Sequence, residues 1–360
     1  MSSGRPAPSF LRALRGELRA LLWRRSTRVS LLLVILAPAL HALLSSWYFR
    51  ALAAAPEAGE EAGRRLNLWP RYATSAGLGL FLAELCVLVV VAGGLPREIQ
   101  SGAARDPLSR GIGRPSWILA RALATLAFTA VLVAGAVGSA RLASGLLFEA
   151  GHITTEPILL FPGEDAAERR AVYEAFLEEH GLRGGDLAAW RDLSDDGREN
   201  VEAVREQLGL PGSLAYPEPD WEGWDFVPIL LVPEPQVRAD LRAGLLHALA
   251  PLAALSLYTL LAAAVFPGGA LATMAALGSV LLMTLFGLSF LGDHAHVLFF
   301  DWLPWLGPDN LLAQAARVAE GFTDQPLPDP EALQAGTRGS WAAAVLFAGL
   351  LPWVFRRRRL

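Results

Sequence analysis

The sequence contains no lysine: all 31 of its basic residues are arginine. That excludes a P-loop lysine and a Schiff-base lysine. The chain is therefore not itself a Walker-type ATPase, a pyridoxal-phosphate enzyme or a retinal protein. The one cysteine, Cys86, lies inside an apolar run, which excludes an intrachain disulfide and a cysteine-rich metal site. Charge is scarce too: charged residues make up 18% of the chain, hydrophobic residues 53%, and mean hydropathy is +0.36. A soluble chain carries about 25% charged residues, so the composition is that of an integral membrane protein. H-E-x-x-H, G-x-S-x-G and phosphate-cradling glycine loops are missing, which removes the support for an intramembrane hydrolase. No cofactor and no nucleic-acid partner is implied.

What is present is a set of apolar stretches. A bilayer core takes about 20 helical residues, and six runs meet or approach that length: Val29–Phe49, Tyr72–Leu95, Trp117 to about Ala143, about Ala243–Phe266, Ala270–Leu291 and Ser340–Phe355. Lipid offers the backbone no hydrogen-bond partner, so each is expected to be a closed helix. The first run is too long and starts too late for a cleavable signal peptide. The expected fold is an all-α integral membrane protein of six transmembrane helices.

Arginine placement orients these spans. Arg5, Arg12, Arg15, Arg19, Arg24, Arg25 and Arg28 precede the first span, against the single acid Glu17. Arg97, Arg105, Arg110 and Arg114 separate spans two and three, and Arg356–Arg359 follow span six. An even span count puts all three groups on one side, and the positive-inside rule makes that side the cytoplasm of the inner (plasma) membrane. Arg50, Arg64, Arg65 and Arg71 dissent from the outer side, partly offset by Glu57, Glu60 and Glu61.

Residues 144–238 differ in kind. They hold 20 Asp and Glu against 7 Arg, a net of −13, and read as an acidic, partly helical extracytoplasmic domain. Helices are expected over Glu164–Leu182 and Arg198–Leu210 from apolar spacing. A second outer loop, 293–338, carries the apolar patch Val297–Leu306, expected to dip into the interface. Within it, Asp293, His294, His296 and Asp301 have a spacing that suits no compact helical metal site. Trp302, Trp305 and Trp353 read as an aromatic belt. Gly135, Gly138 and Ser139 in span three allow close helix approach.

Two polar residues lie inside spans. Glu84 sits in the second, where a charge costs roughly 2.5–3.5 kcal/mol on insertion scales. It must face protein or water, or be protonated, and His41 in the first span is a candidate partner. His247 reads as a packing histidine.

Two segments carry more specific information. Phe10–Arg25 places Phe10, Leu11, Leu14, Leu18, Leu21 and Leu22 on one helical face, the pattern of a helix in the headgroup plane. The loop after span two reads Glu98, Gly102-Ala103, Leu108-Ser109, Arg114, then Arg121 inside the next span. This loop resembles that of type-2 ATP-binding-cassette (ABC) exporter permeases, in which an acid, a glycine, a Leu-Ser turn ending in arginine and a closing base follow the second span. Ala103 stands for the usual Thr or Ser, and Ile112 or Gly113 for the usual Pro. The resemblance implies that residues 1–28 form an amphipathic elbow helix. It implies that 29–143 hold spans one to three with a coupling loop at 96–116, and that 239–360 hold spans four to six with a basic tail. It implies that Glu98, Gly102, Arg110 and Arg114 couple to a separate ATPase subunit, and that a second permease copy, in a homo- or heterodimer, completes the exporter. A non-transport scaffold whose acidic domain binds an envelope protein, and an ion-coupled transporter using Glu84 and His41, are the alternatives from other classes.

Overall fold

The computed structural model describes residues 9–53, 66–105, 108, 112–151, 153–162, 224–232, 234–287, 290, 292–304, 307, 310–320 and 330–357. Helix α1 (Ser9–Trp23) is separated by Arg24 from α2 (Arg25–Ala53). Then come α3 (Leu68–Gln100) and α4 (Arg114–Leu147), strands β1 (Ile153–Pro162) and β2 (Trp224–Val232), and α5 (Glu234–Val265). The chain continues through α6 (Gly269–Leu282) and a π-helical turn Met283–Gly287, a 3-10 turn Gly292–Val297, α7 (Leu311–Ala319) and α8 (Pro330–Arg357).

Among the described residues, five helices are long and apolar enough to cross a membrane: α2, α3, α4, α5 and α8. The chain is a multi-pass membrane protein. The fifth expected span, Ala270–Leu291, coincides with the shorter apolar helix α6 and its π turn.

The helices overrun their apolar windows. α4 continues to Leu147 past Ala143, and α5 begins at Glu234, nine residues before Ala243. α8 begins at Pro330, ahead of Ser340. Hydropathy sees only the apolar stretch, whereas a helix continues while its turns are supported, here by the Glu234–Arg238 pair at i,i+4 (2.6 Å).

Helix ends follow capping chemistry. The Asn67 side chain accepts from Trp69 N at 2.9 Å at the start of α3. α3 ends where Gly102 takes φ +78°, a left-handed conformation that favours glycine. Gly113 precedes α4, with Pro115 in the first turn, where its missing N–H is not needed. Arg50 Nη2 donates to Leu147 O at 2.9 Å and so satisfies a carbonyl at the end of α4.

α3 is the central helix, packed by α2, α4, α5, α6 and α7. Its crossing with α2 and α4 requires Gly79, since a Cβ there would stand 2.7 Å from Pro38 Cγ and 2.8 Å from Ala136 Cβ. α5 is the most enclosed helix, while α2 and α8 are mostly exposed. The open face of α2 carries Val29, Leu32, Leu33, Leu36, Leu40 and Leu43, a continuous apolar stripe suited to lipid. Gly135 of α4 faces Ile35 of α2, whereas Gly138 faces open space.

The bundle is all-α as expected, and a two-stranded ribbon that the sequence reading did not anticipate joins it. β1 and β2 pair antiparallel, with Ile153 opposite Val232, Pro157 opposite Pro228 and Pro162 opposite Trp224. The ribbon brackets residues 163–223, so the acidic segment leaves and rejoins the bundle through paired strands. The helices expected at Glu164–Leu182 and Arg198–Leu210 lie outside the described residues. A two-stranded ribbon consists only of edge strands, which accounts for its tolerance of proline.

The segment 293–338, expected as an outer loop, also differs from expectation. Phe299, Phe300, Asp301, Trp302 and Leu303 are buried. Phe299 and Phe300 reach the Tyr258 ring of α5, at centroid distances of 6.1 and 5.8 Å, and Phe299 also meets Phe347 of α8. The patch thus enters the bundle itself. Irregular backbone is tolerated at membrane depth only when protein covers it. Trp302 is 1% exposed, so it is no belt residue; its Nε1 donates to His296 O at 2.6 Å, and His247 packs edge-on at 4.9 Å. Trp353 is half-exposed under the guanidinium of Arg357, and Trp305 lies outside the described residues.

Candidate functional site

The charged residues at the arginine-rich end converge on Arg121. This residue lies seven positions into α4 and is 5% exposed. A buried guanidinium needs carboxylates, and two elements supply them. Nη1 donates to Glu98 Oε2 and Nη2 to Glu98 Oε1, each at 2.8 Å, a bidentate fork with the last turn of α3. Nη1 also donates to Glu17 Oε2 of α1 at 2.7 Å. The other Glu17 oxygen, Oε1, accepts from Trp117 Nε1 at 2.7 Å. Arg24, at the break between α1 and α2, makes a further ion pair with Glu98 Oε1. Two acids and two bases therefore tie together α1, the α1–α2 joint, α3 and α4.

The cluster is locally neutral but unequal. Arg121 holds both carboxylates, and Arg24 shares one that is already held. Burial, then the charge of Arg121, pull the Arg24 guanidinium down to about 10, with Glu17 acting in the opposite direction. Gly94 makes room for both cations, since a Cβ there would stand 3.2 Å from Arg24 Nη1 and 3.3 Å from Arg121 Nη2.

α1 lies on α4 through this pair and through buried Ala13, while Leu11, Leu18, Leu22 and Trp23 stay exposed. Its apolar face is thus divided: part meets protein, and part is left for lipid.

The predicted coupling residues separate. Glu98 is turned inward onto Arg121 and Arg24. Gly102 forms the turn after α3, and Arg114 is exposed at the first position of α4. Arg110 lies outside the described residues. Gln100 Nε2 donates to Pro267 O at 3.1 Å, which ties the same loop to the joint between α5 and α6.

Glu84 is fully buried on α3. It is not brought to His41, whose Nδ1 is 2.9 Å from Ser75 Oγ. Ser75 and Glu84 are nine residues apart, about 13 Å along a helix, so one side chain on α2 cannot serve both. Thr129 Oγ1 and Ser256 Oγ are 2.7 Å apart between α4 and α5. The α3–α4 crossing sets Gly79 against Ala136, and antiparallel register from there puts Glu84 level with Val131, about half a turn beyond Thr129. Below Thr129, α4 presents Thr125 and Arg121 at four-residue steps, each threonine hydroxyl donating to the carbonyl one turn back. One polar edge of α4 thus runs from the Glu98 cluster through Thr125 to Thr129, towards the depth of Glu84.

Sequence reasoning missed Glu17, Trp117 and Arg24 as members of the cluster. The available signal was Arg121 itself: a charge inside an apolar run requires a partner, and Glu17 is the lone acid on an arginine-rich helix. At the opposite end, Arg141 and Arg238 flank the ring of Trp69 at 5.2 and 5.4 Å, an arrangement also not anticipated.

No protein-family model, curated protein or solved structure matches the chain.

Proposed function

We propose that the chain is the membrane-spanning permease subunit of an ABC-type exporter, driven by ATP that a separate ATPase subunit hydrolyses. The observation that carries this reading is the Glu98–Arg121–Glu17 network. It joins the end of α3, the start of α4 and the surface helix α1 into one unit. A push on the loop between α3 and α4 is then passed to two spans and to α1 together, which is what coupling to an external motor requires.

In this reading α6 is a span. Gly269 to Gly287 is 19 residues, about 28 Å of helix against a core of about 30 Å. Six spans return the chain to the side it started from. The arginine-rich termini and the α3–α4 loop then share the cytoplasmic face, and the acidic segment lies outside. α1 acts as the elbow helix, and a second permease copy completes the transporter. Arg114 is the exposed base that meets the ATPase, and Glu98 acts behind it by holding α4 in place.

The test is Arg114→Glu, assayed for ATPase association and for membrane insertion. Weaker association with normal insertion supports coupling at this loop, and unchanged association removes it. A second reading, an ion-coupled transporter, rests on the buried carboxyl of Glu84 near the end of the polar edge of α4.

A further inference from the structure

Beside the ion cluster, a cavity of about 290 Å³ opens at the arginine-rich end of α3. Arg24 and Arg97 line it together with Val89 and Val90. Gly93 and Gly94 form part of its wall, and the missing side chain of Gly94 leaves room for the Arg24 guanidinium. The only acid on its wall is Glu98, whose two oxygens are already bonded to Arg121. Arg97 is exposed and has no ion-pair partner among the described residues, so the lining carries a surplus positive charge. Ser26, exposed on the first turn of α2, adds a hydroxyl.

We propose that this cavity binds the phosphate of an anionic phospholipid, with Arg24 and Arg97 on the oxyanion and an acyl chain along Val89 and Val90. A phosphate oxyanion is the shared chemistry of a lipid headgroup and a soluble phosphate, and the valine side of the cavity selects the lipid. Val89 is 55% exposed, and nearby Val29, Leu32 and Leu33 of α2 are exposed as well, so the cavity continues into a lipid-facing surface. Exposed Trp23, stacked with Arg28 at 5.0 Å, marks the headgroup level beside it. The unmatched charge of Arg97 favours an anionic over a zwitterionic headgroup. Because Arg24 also pairs with Glu98, the bound lipid would brace the joint between α1 and α2. This inference does not depend on the transport reading.

The experiment uses the purified full chain in neutral detergent. Native mass spectrometry follows titration with short-chain phosphatidylglycerol, phosphatidylcholine or inorganic phosphate. Phosphatidylglycerol is expected to bind more tightly than phosphatidylcholine, and Arg97→Gln to weaken it roughly fivefold, the effect of one interfacial arginine. Arg19→Gln, an equal charge change on exposed α1 away from the cavity, is expected to leave binding as it was. Equal weakening by both variants, or unchanged binding in Arg97→Gln, overturns the site. Displacement of phosphatidylglycerol by equimolar inorganic phosphate overturns the assignment to lipid.

Discussion

Arg121 and Glu98 face each other across the α3–α4 junction as a two-bond fork, Nη1 to Oε2 and Nη2 to Oε1, both at 2.8 Å. The fork closes a loop of 22 intervening residues and fixes the angle at which the two helices leave it. Glu17 adds the surface helix α1 to the same guanidinium.

Removing that guanidinium leaves Glu17 and Glu98 without their main partner in a largely enclosed site. Arg121→Met is expected to destabilise the protein by about 3–5 kcal/mol, the usual cost of breaking a buried ion pair from one side. The double variant Arg121→Met/Glu98→Gln is expected to recover part of the loss. Thermal unfolding in detergent across the double-mutant cycle measures the coupling.

Arg24 is expected to behave differently. Its folded-state value of about 10 lies below that of an ordinary arginine, so folding disfavours its charge. That penalty is fully present at neutral pH and is relieved as pH rises through 10 towards the unfolded value. Arg24→Met is therefore expected to cost less stability than Arg121→Met, and the difference between Arg24→Met and the native chain to stay flat from pH 6 to 9. Parallel melting curves of the two variants check the order.

Gly79 sits where three helices meet, so added volume has nowhere to go. Gly79→Val is expected to cost about 1–3 kcal/mol or more through overpacking. Gly138→Val, which faces open space on the same α4 surface as other small residues, is expected to be nearly neutral. Yield of monodisperse protein and melting temperature give the comparison.

For Glu84 the prediction turns on chemistry rather than size. Gln keeps the length, an acceptor and a donor, so Glu84→Gln is expected to fold and assemble normally. Glu84→Arg places a fixed charge at bilayer depth and is expected to abolish folded yield. Size-exclusion profiles from membranes expressing each variant measure this, and a separate flux assay of Glu84→Gln tests the ion-coupled reading.

Much of the helical plan was legible because burial in lipid imposes long apolar runs. α2, α3, α4, α5 and α8 each contain one of the stretches read from hydropathy. Their ends were not legible, since Glu234–Arg238 and Pro330–Arg338 are polar turns that hydropathy assigns to loops. The β1–β2 ribbon was hidden for a different reason. Its strands are separated by 61 residues, each carries an internal proline, and strand pairing across such a distance leaves no local period. The cluster was half legible. Glu98 and Arg121 stand out as charges at the edges of spans, but Glu17 lies 104 positions from Arg121, and only packing of α1 on α4 brings them together. Trp302 was misread because tryptophan in an outer loop has the composition of a belt, while its actual cover, Gly336 of α8, is visible only in three dimensions.

Topology follows from whether α6 crosses the membrane. A reporter fused after Arg359 is expected on the cytoplasmic side, and one inserted at Gly184 on the opposite side. Both reporters on one side would remove an even span count.

The central claim is that this chain is moved by an ATPase it does not contain. The most direct measurement is affinity purification of the full chain from its native membrane in mild detergent, with mass spectrometry of whatever co-purifies. The account predicts a P-loop ATPase subunit in stoichiometric amount, its yield reduced by Arg114→Glu. A stable, monodisperse native chain that brings down no ATPase would contradict it.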